Sequence, residues 1–456
     1  MLFYSHLLNL NLQPIWSYRP DVCLYNCSTH LFNLILKSLE AAFGPNSALV
    51  EELYEQYKKS PNSVPTHWKR YFDELNGVEG NEKETNKNSA ATKITPTTPA
   101  RTIPSKEVMQ SSKPVPKGEL QKMKGVTSKI VENMDASLEV PTATSLRVLP
   151  VKMMIEDRTI INRHLIKRNE PKASFTHFIC WAVIQAIKQF PTINHTYHKD
   201  GKVHYRVVPK QINLGVAIDL PNKDGSRNLV VPNIKGVDKM NFKEFLYSFA
   251  ELVNKARSGN LQIEDYQGTT ISVTNPGTLG TVSSVPRLMP GQGAIIATGA
   301  INYPAEFQNM SKDVLNQLGI SKVMSMTCTY DHRIIQGAES GAFLNEVNHL
   351  LSGQADFYDS IFSDLEIPYD PIPYGEDFYS GPFNSGANTL EEDRRTIGVW
   401  RLINMYRMRG HVLADLDPLE KEPGYNPELD LAYYGLSVWD LDREFYCGGL
   451  GGNRQA

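Results

Sequence analysis

The 456-residue sequence is short of cysteine, of unbroken apolar runs and of net charge, and each shortage removes a class of protein. Its five cysteines, Cys23, Cys27, Cys180, Cys328 and Cys447, are odd in number and mostly far apart. That disfavours a disulfide framework and a zinc ribbon, and it fits a reducing compartment, the cytoplasm. Cys23 and Cys27 form a close pair, but no second Cys/His pair follows at zinc spacing, so no metal site is expected. Residues 1–42 are apolar in patches, interrupted by Asn, Gln, Arg and Asp well short of the ~18 apolar residues that a membrane span needs. The stretch also lacks the basic start and small-residue cleavage site of a secretory signal and is too poor in Arg for a transit peptide. It reads as coding sequence upstream of the true start. A formal charge of −3 gives no electrostatic bias toward nucleic acid. Neither a Rossmann glycine motif nor a Walker loop is present, because Gly291-x-Gly293 follows Pro290 without a strand-to-helix context.

What the chain does contain is divided unevenly. From Asn81 to about Gly118 it is Thr, Pro, Ser, Lys and Asn with almost no large apolar residue, a composition that cannot bury enough surface to order itself, so 79–120 reads as a flexible linker. Before it, Asn46 can cap a helix with Leu49, Val50, Leu53 and Tyr57 at helical spacing, and a second amphipathic segment runs through Trp68, Tyr71 and Phe72. Two short helices make a poor core and need a partner surface, which makes 43–78 a docking arm. From about 121 to 360 strand-like and helical segments alternate, the pattern of an α/β unit. Ser174–Phe190 is an apolar helix bound for the core. The expected strands are Ile212–Ile218, Leu229–Val231, Thr270–Thr274, Ala294–Thr298 and Lys322–Tyr330, all in one sandwich. Residues 361–456 begin rich in Tyr, Pro, Asp and Gly, then offer one amphipathic helix with Ile397, Trp400, Ile403 and Tyr406 inward.

The residue best suited to chemistry is His332, at the end of a strand rich in β-branched and sulfur-bearing side chains and before Ile334-Ile335-Gln336-Gly337. A neutral imidazole near its intrinsic pKa can take a proton from a thiol or hydroxyl at physiological pH. Taken alone, a His between Asp and Arg is more often a surface or hydrogen-bonded structural residue. The surrounding residues add to the first reading. Tyr330-Asp331-His332-Arg333, with Gly337-Ala338 and Phe343-Leu344, resembles the active-site signature of the dihydrolipoyl acyltransferase family, shared by chloramphenicol acetyltransferase. Pro141–Ser145, Asn213–Ile218, Leu229–Pro232, Thr270–Gly277 and Pro290–Ile295 resemble further stretches of that family in the same order, over about 230 residues.

The resemblance implies a chloramphenicol-acetyltransferase-like two-layer sandwich with a mixed sheet and helices, working as a homotrimer or higher homo-oligomer. It implies that His332 deprotonates coenzyme A as a substrate and that Thr274 donates to the oxyanion, from the neighbouring subunit. Taken without it, Thr274 is a strand residue before a turn, since Asn-Pro-Gly alone explains a tight reversal. Four residues after the His the family has Asp, whereas this chain has Gln336, which can hydrogen-bond but cannot supply negative charge. Either that position is structural or activity is reduced. Gln here resembles bacterial fused 2-oxoglutarate dehydrogenases, in which an acyltransferase domain precedes the thiamine-dependent dehydrogenase.

Both flanks are similar to the same fused enzymes: Phe43–Tyr54 with Trp68 resembles the N-terminal arm, and Tyr406–His411 through Leu419, with Leu436–Leu441, resembles the opening of the dehydrogenase domain. His411 there is read as a helix-terminal residue favoured by the dipole. Thiamine diphosphate and magnesium belong to a dehydrogenase segment that this chain lacks. No lipoyl-carrying hairpin is present, since Asp238-Lys239 reads as a helix-start charge pair, so lipoamide must come from another protein. The implied partners are the lipoyl-carrying acyltransferase component and dihydrolipoamide dehydrogenase, with no nucleic acid and no membrane. Two rivals stay open: a non-catalytic trimerising scaffold, and a truncated dehydrogenase subunit whose activity lies beyond residue 456. Succinyl is implied by the flanking resemblances, not by any identified pocket residue.

Overall fold

The computed structural model describes residue 43 and residues 47–75, 126–221, 227–289, 291–368, 370–377, 389–413 and 426–449. The expectations for 1–42, for the Asn46 cap and for the linker at 79–120 lie outside the described residues. In the arm, α1 (Ser47–Lys59) and α2 (Thr66–Leu75) fold back on each other, and α3 (Val126–Ser137) packs beside α1. Val50, Tyr54 and Tyr57 of α1 meet Trp68 and Phe72 of α2 around Phe43, with Trp68 and Phe72 stacked at 5.5 Å. The partner surface that so small a core needs comes partly from the chain itself: Trp68 lies 6.2 Å from the ring of Tyr266.

A mixed six-stranded sheet forms the frame of the larger unit, in the order β1-β10-β9-β8-β4-β7. Its members are β1 (Thr142–Pro150), β4 (Leu214–Val216), β7 (Asn233–Ile234), β8 (Ile271–Thr274), β9 (Ala294–Thr298) and β10 (Val323–Asp331). β10 runs antiparallel to both β1 and β9, while β9, β8 and β4 are parallel neighbours. Two ribbons stand outside the sheet: β2 (Thr196–Asp200) with β3 (Val203–Val207), and β5 (Ile218–Pro221) with β6 (Arg227–Val230).

The expectation that all strand candidates share one sandwich is corrected here. The run 212–218 splits at Ala217, and the segment 229–231 ends in the β5–β6 ribbon. Leu229 is exposed, while Ile218 and Leu220 rest against the core. An alternating pattern of this kind suits a ribbon with one wet face, whereas a central strand is apolar on both faces. The β2–β3 ribbon was absent from the expected strands.

Helices α4 (Lys152–Lys167), α5 (Phe175–Gln189), α6 (Phe242–Ser258), α9 (Gly337–Leu351) and α10 (Phe357–Asp364) make the second layer, with short turns α7 (Ile263–Tyr266) and α8 (Lys312–Gln317) at the periphery. Along α5 every residue from His177 to Ile187 except Gln185 is buried, as its sequence demands. Each large apolar side chain so removed from water contributes about 1.5–3 kcal/mol. Cys180, Cys328 and Cys447 are buried free thiols. Asp238 sits in a single 3-10 turn, where its carboxylate accepts the backbone N–H of Ile212 at 2.8 Å.

Helix α11 (Thr389–Arg409) exists, but its inward stripe is not the expected one. Ile397, Trp400 and Tyr406 are about half exposed, and Ile403 is half-buried. Arg395 and Gly398 face inward instead. Arg395 is drawn in by the buried Asp440, 3.1 Å away, and a Cβ at Gly398 would come within 2.9 Å of the Tyr434 carbonyl oxygen. A buried ion pair and a close backbone approach thus override the apolar spacing. His411 lies exposed at the helix end.

Asp157 of α4 is fully buried; its Oδ1 accepts the N–H of Ile372 at 3.1 Å, and its Oδ2 has no partner among the described residues. Burial pushes this carboxyl up to about 8, so it holds a proton at neutral pH. In the unfolded chain the proton leaves near pH ~4. The folded state therefore binds more protons between those values, and this group's contribution to stability falls as pH rises from about 4 to about 8. Asp157→Asn should flatten that slope, so its urea midpoint relative to wild type should be higher at pH 8 than at pH 5. A relative midpoint that moves the opposite way would sink this reading.

Candidate active site

Strand β10 carries its residues Met324 to Asp331 into the core and delivers the next residue, His332, to the surface. The Asp331 N–H donates to the carbonyl of Gly293 at 2.9 Å, and the His332 N–H donates to the carbonyl of Pro141 at 3.0 Å. The imidazole stands edge-on to the Tyr330 ring at 5.6 Å and has no hydrogen-bond partner among the described residues. An exposed imidazole on a fixed backbone is free to meet a thiol.

The residues on either side of it are tightly held. Asp331 is 1% exposed and grips Arg333 through Nε (2.8 and 3.1 Å) and Nη2 (2.6 Å), while the Arg333 N–H donates to Asp331 Oδ1 at 3.0 Å. A planar guanidinium matches a carboxylate with two parallel bonds, and the pair keeps Arg333 charged by raising its proton affinity further. The other face of the guanidinium lies 3.7 Å from the centre of the Tyr197 ring. Arg206 donates to the carbonyl of Ile334 at 3.1 Å. His195 is held below the usual imidazole value, first by burial and then by the charge of Arg206, against an opposing effect of Glu339.

Gln336 is exposed and occupies the N-cap position of α9, its N–H donating to Glu339 Oε2 at 2.8 Å. The carboxylate partner of Arg333 is Asp331. Sequence reasoning passed over Tyr197, Arg206 and His195. The signal for the first two was present: Asp200-Gly201 between alternating residues marks a hairpin, and Gly201 has φ +56° at its turn. His195 had no comparable signal.

Thr274 ends β8, half-buried, with its hydroxyl unpartnered among the described residues. Next to it Asn275 donates to Thr176 Oγ1 at 3.0 Å. Thr274 pairs with Ala297, and Ala297 with Thr327. His332 lies five residues beyond Thr327 on the same strand line. At the spacing of a β-sheet this separates the two residues by about 17 Å along the strands and about 10 Å across them. Within one chain the sheet therefore holds His332 and Thr274 at opposite ends and does not bring them together.

The outer face of the sheet's β1–β10 corner is apolar and uncovered. Leu146 and Val148 of β1 are 56% and 55% exposed, and Leu279, Val282 and Val285 are 65%, 69% and 65% exposed. The loop bearing the last three is tied to this corner by Ser325, whose hydroxyl donates to Val282 O, and by Thr327, whose hydroxyl donates to Ser284 O at 2.6 Å. Among the described residues no group of three or more His, Cys, Asp or Glu side chains could hold a metal ion, and no helix is long and apolar enough to cross a membrane.

With that geometry in place, the comparisons with known proteins are specific. The profile of the 2-oxoacid dehydrogenases acyltransferase family (catalytic domain) matches residues 116–357, just over half of the chain, and the chain belongs to this family. The profile of the 2-oxoglutarate dehydrogenase N-terminus matches residues 40–79. Among curated relatives, the chain is 41% identical over 450 residues to the "Multifunctional 2-oxoglutarate metabolism enzyme" of Mycolicibacterium vanbaalenii, covering 90% of this chain and 35% of that one. It is 41% identical over 457 residues to the "2-oxoglutarate dehydrogenase E1/E2 component" of Corynebacterium glutamicum, covering 91% and 35%. The chain thus spans about a third of the length of these relatives. A probable dihydrolipoamide acetyltransferase of Listeria monocytogenes matches at 26% identity and TM-score 0.44, over 52% of this chain and 94% of that one.

The Asp331–Arg333 pair provides a direct test of how the site is held. Arg333→Met leaves a buried carboxylate without its cation. Truncating one partner of a fully buried pair costs 3–5 kcal/mol, and the partial exposure of Arg333 should bring this down to about 2–3 kcal/mol. Urea denaturation measures it; a loss under about 0.5 kcal/mol, the scale of an exposed pair, would mean that the pair is only a surface contact.

Proposed function

We propose that this chain transfers a succinyl group between dihydrolipoamide, presented on a separate carrier protein, and coenzyme A, as the acyltransferase part of a cytoplasmic 2-oxoglutarate dehydrogenase system. The observation that carries the proposal is the acyltransferase family match over 116–357, with His332 exposed at a strand end whose two neighbours are locked together. The choice of 2-oxoglutarate rests on the N-terminal match and on the printed names of the relatives. Thiamine diphosphate and magnesium are assigned to a dehydrogenase segment outside this chain. The proposed partners are the lipoyl-carrying component and dihydrolipoamide dehydrogenase.

In the direction of succinyl-coenzyme A formation, the His332 imidazole takes the proton of the coenzyme A thiol. The thiolate attacks the thioester carbonyl, and the Thr274 hydroxyl donates to the resulting oxyanion. Collapse breaks the bond from carbon to the dihydrolipoamide sulfur, which receives the proton from His332. Because one chain holds His332 and Thr274 at opposite ends of its sheet, the pair must come from two copies, and the uncovered apolar corner at Leu146, Val148 and Val282 supports such an assembly. Gln336 in this scheme starts α9 and takes no part in proton transfer.

A thiol-release assay with succinyl-dihydrolipoamide and coenzyme A on the assembled protein tests the scheme. Turnover is expected, His332→Asn should lower kcat by about 10²–10⁴-fold, and Thr274→Ala by about 100-fold. No turnover by an intact wild-type oligomer would instead support the non-catalytic scaffold. The subunit-crossing site has its own signature. Co-assembling the two inactive variants in equal amounts should restore about a quarter of wild-type activity, since each interface has about one chance in four of combining both intact halves. Absence of any recovery in demonstrably mixed oligomers would rule out the shared site.

A further inference from the structure

We propose that Tyr197, on the β2–β3 ribbon, is a positioning residue for acyl transfer: its ring carries the Arg333 guanidinium and, through the Arg333–Asp331 pair, sets where the His332 imidazole points. The inference rests on the reading of His332 as the base. The imidazole has no hydrogen-bond partner of its own among the described residues, and the backbone N–H of Gln336 is held by Glu339 at the start of α9. What orients the ring is therefore its edge contact with Tyr330 and the backbone on either side of it. Asp331 is immobile, buried and bound to Gly293 through its N–H. Arg333 is less enclosed: its side chain is 32% exposed even with the Tyr197 ring against it.

Tyr197 covers one side of the guanidinium. The guanidinium sits 3.7 Å from the ring centre, where a cation is attracted to the electron-rich face and water is displaced. The ring also packs against the core, and its hydroxyl meets Nδ1 of His204 at 2.5 Å across the ribbon. Directly opposite Tyr197 in the register is Arg206, which donates to the carbonyl of Ile334. One face of the ribbon therefore contacts the 331–335 segment twice, once at Arg333 and once at Ile334. The opposite face offers Val203, Tyr205 and Val207 to solvent, and none of the residues of β3 is buried. A ribbon that adds so little to the core but grips the segment holding the base is placed to control geometry rather than stability.

The test uses the full-length assembled chain and the thiol-release assay, with His332→Asn as a parallel arm. Tyr197→Ala should lower kcat about tenfold or more, because small misplacements of a reacting group are costly. The KM for coenzyme A should stay within about twofold, since no binding contact is removed. Tyr197→Phe, which keeps the ring beneath the guanidinium, should restore kcat to within about threefold of wild type. Tyr197→Leu replaces the alanine variant if that one fails to assemble. An assembled Tyr197→Ala or Tyr197→Leu protein with wild-type kcat overturns the proposal, provided that His332→Asn is inactive. So does a Tyr197→Phe variant as impaired as Tyr197→Ala with thermal stability lost in parallel, which marks a merely structural ring. Full activity in His332→Asn refutes the base itself, a separate failure from that of Tyr197.

Discussion

Strand β10 is the constraint on which the rest of the larger unit depends. It is hydrogen-bonded on both sides, to β1 over its whole length and to β9 over its second half. A one-residue slip in either pairing would turn every buried side chain from Met324 to Asp331 to the other face, so the register has no near alternative. That rigidity determines which residue is last in the core and which is first outside it. Asp331 is the former and His332 the latter.

Burying Asp331 at the strand end creates a charge that needs a partner, and the chain supplies one two residues later. Arg333 turns back onto the carboxylate, which forces residues 331–335 into a tight bend fastened by the N–H groups of Ile334 and Ile335 on the Asp331 carbonyl. His332 is the residue left at the apex. Desolvation thus does more than stabilise here: it dictates the path of the backbone at the point where chemistry is proposed. The same logic recurs at the far end of the molecule, where Asp440 draws Arg395 and Arg443 inward and rotates α11 away from the face its apolar residues favour.

Much of this could be read in the sequence. The Ser174–Phe190 helix and strand β9 were legible because each is a nearly unbroken apolar run, the helix told from the strand by its length, and the core of β10 because it is rich in β-branched and sulfur-bearing side chains. His332 and Thr274 stand out as candidates because they sit in ordered stretches resembling one family. Less legible were positions where a polar contact beats hydrophobic spacing. The orientation of α11 turned on one buried arginine and one glycine, Gly398. The β5–β6 ribbon was read as part of the sheet because Ile218 and Leu229 suit either setting. Tyr197 and Arg206 were missed because a ribbon of polar and aromatic residues announces a turn but not its target.

By itself the sequence determined the α/β class of the larger unit and the family resemblance that makes His332 the candidate base. These follow from composition, from periodicity and from short ordered resemblances, all of which are local. Only the tertiary structure decided that Arg333 belongs to Asp331 and Tyr197, that Gln336 starts a helix, and that His332 and Thr274 stand at opposite ends of one sheet. Those outcomes depend on burial, strand order and register, and on contacts such as Arg333–Tyr197 between residues far apart in the sequence, none of which is marked in the sequence near either partner.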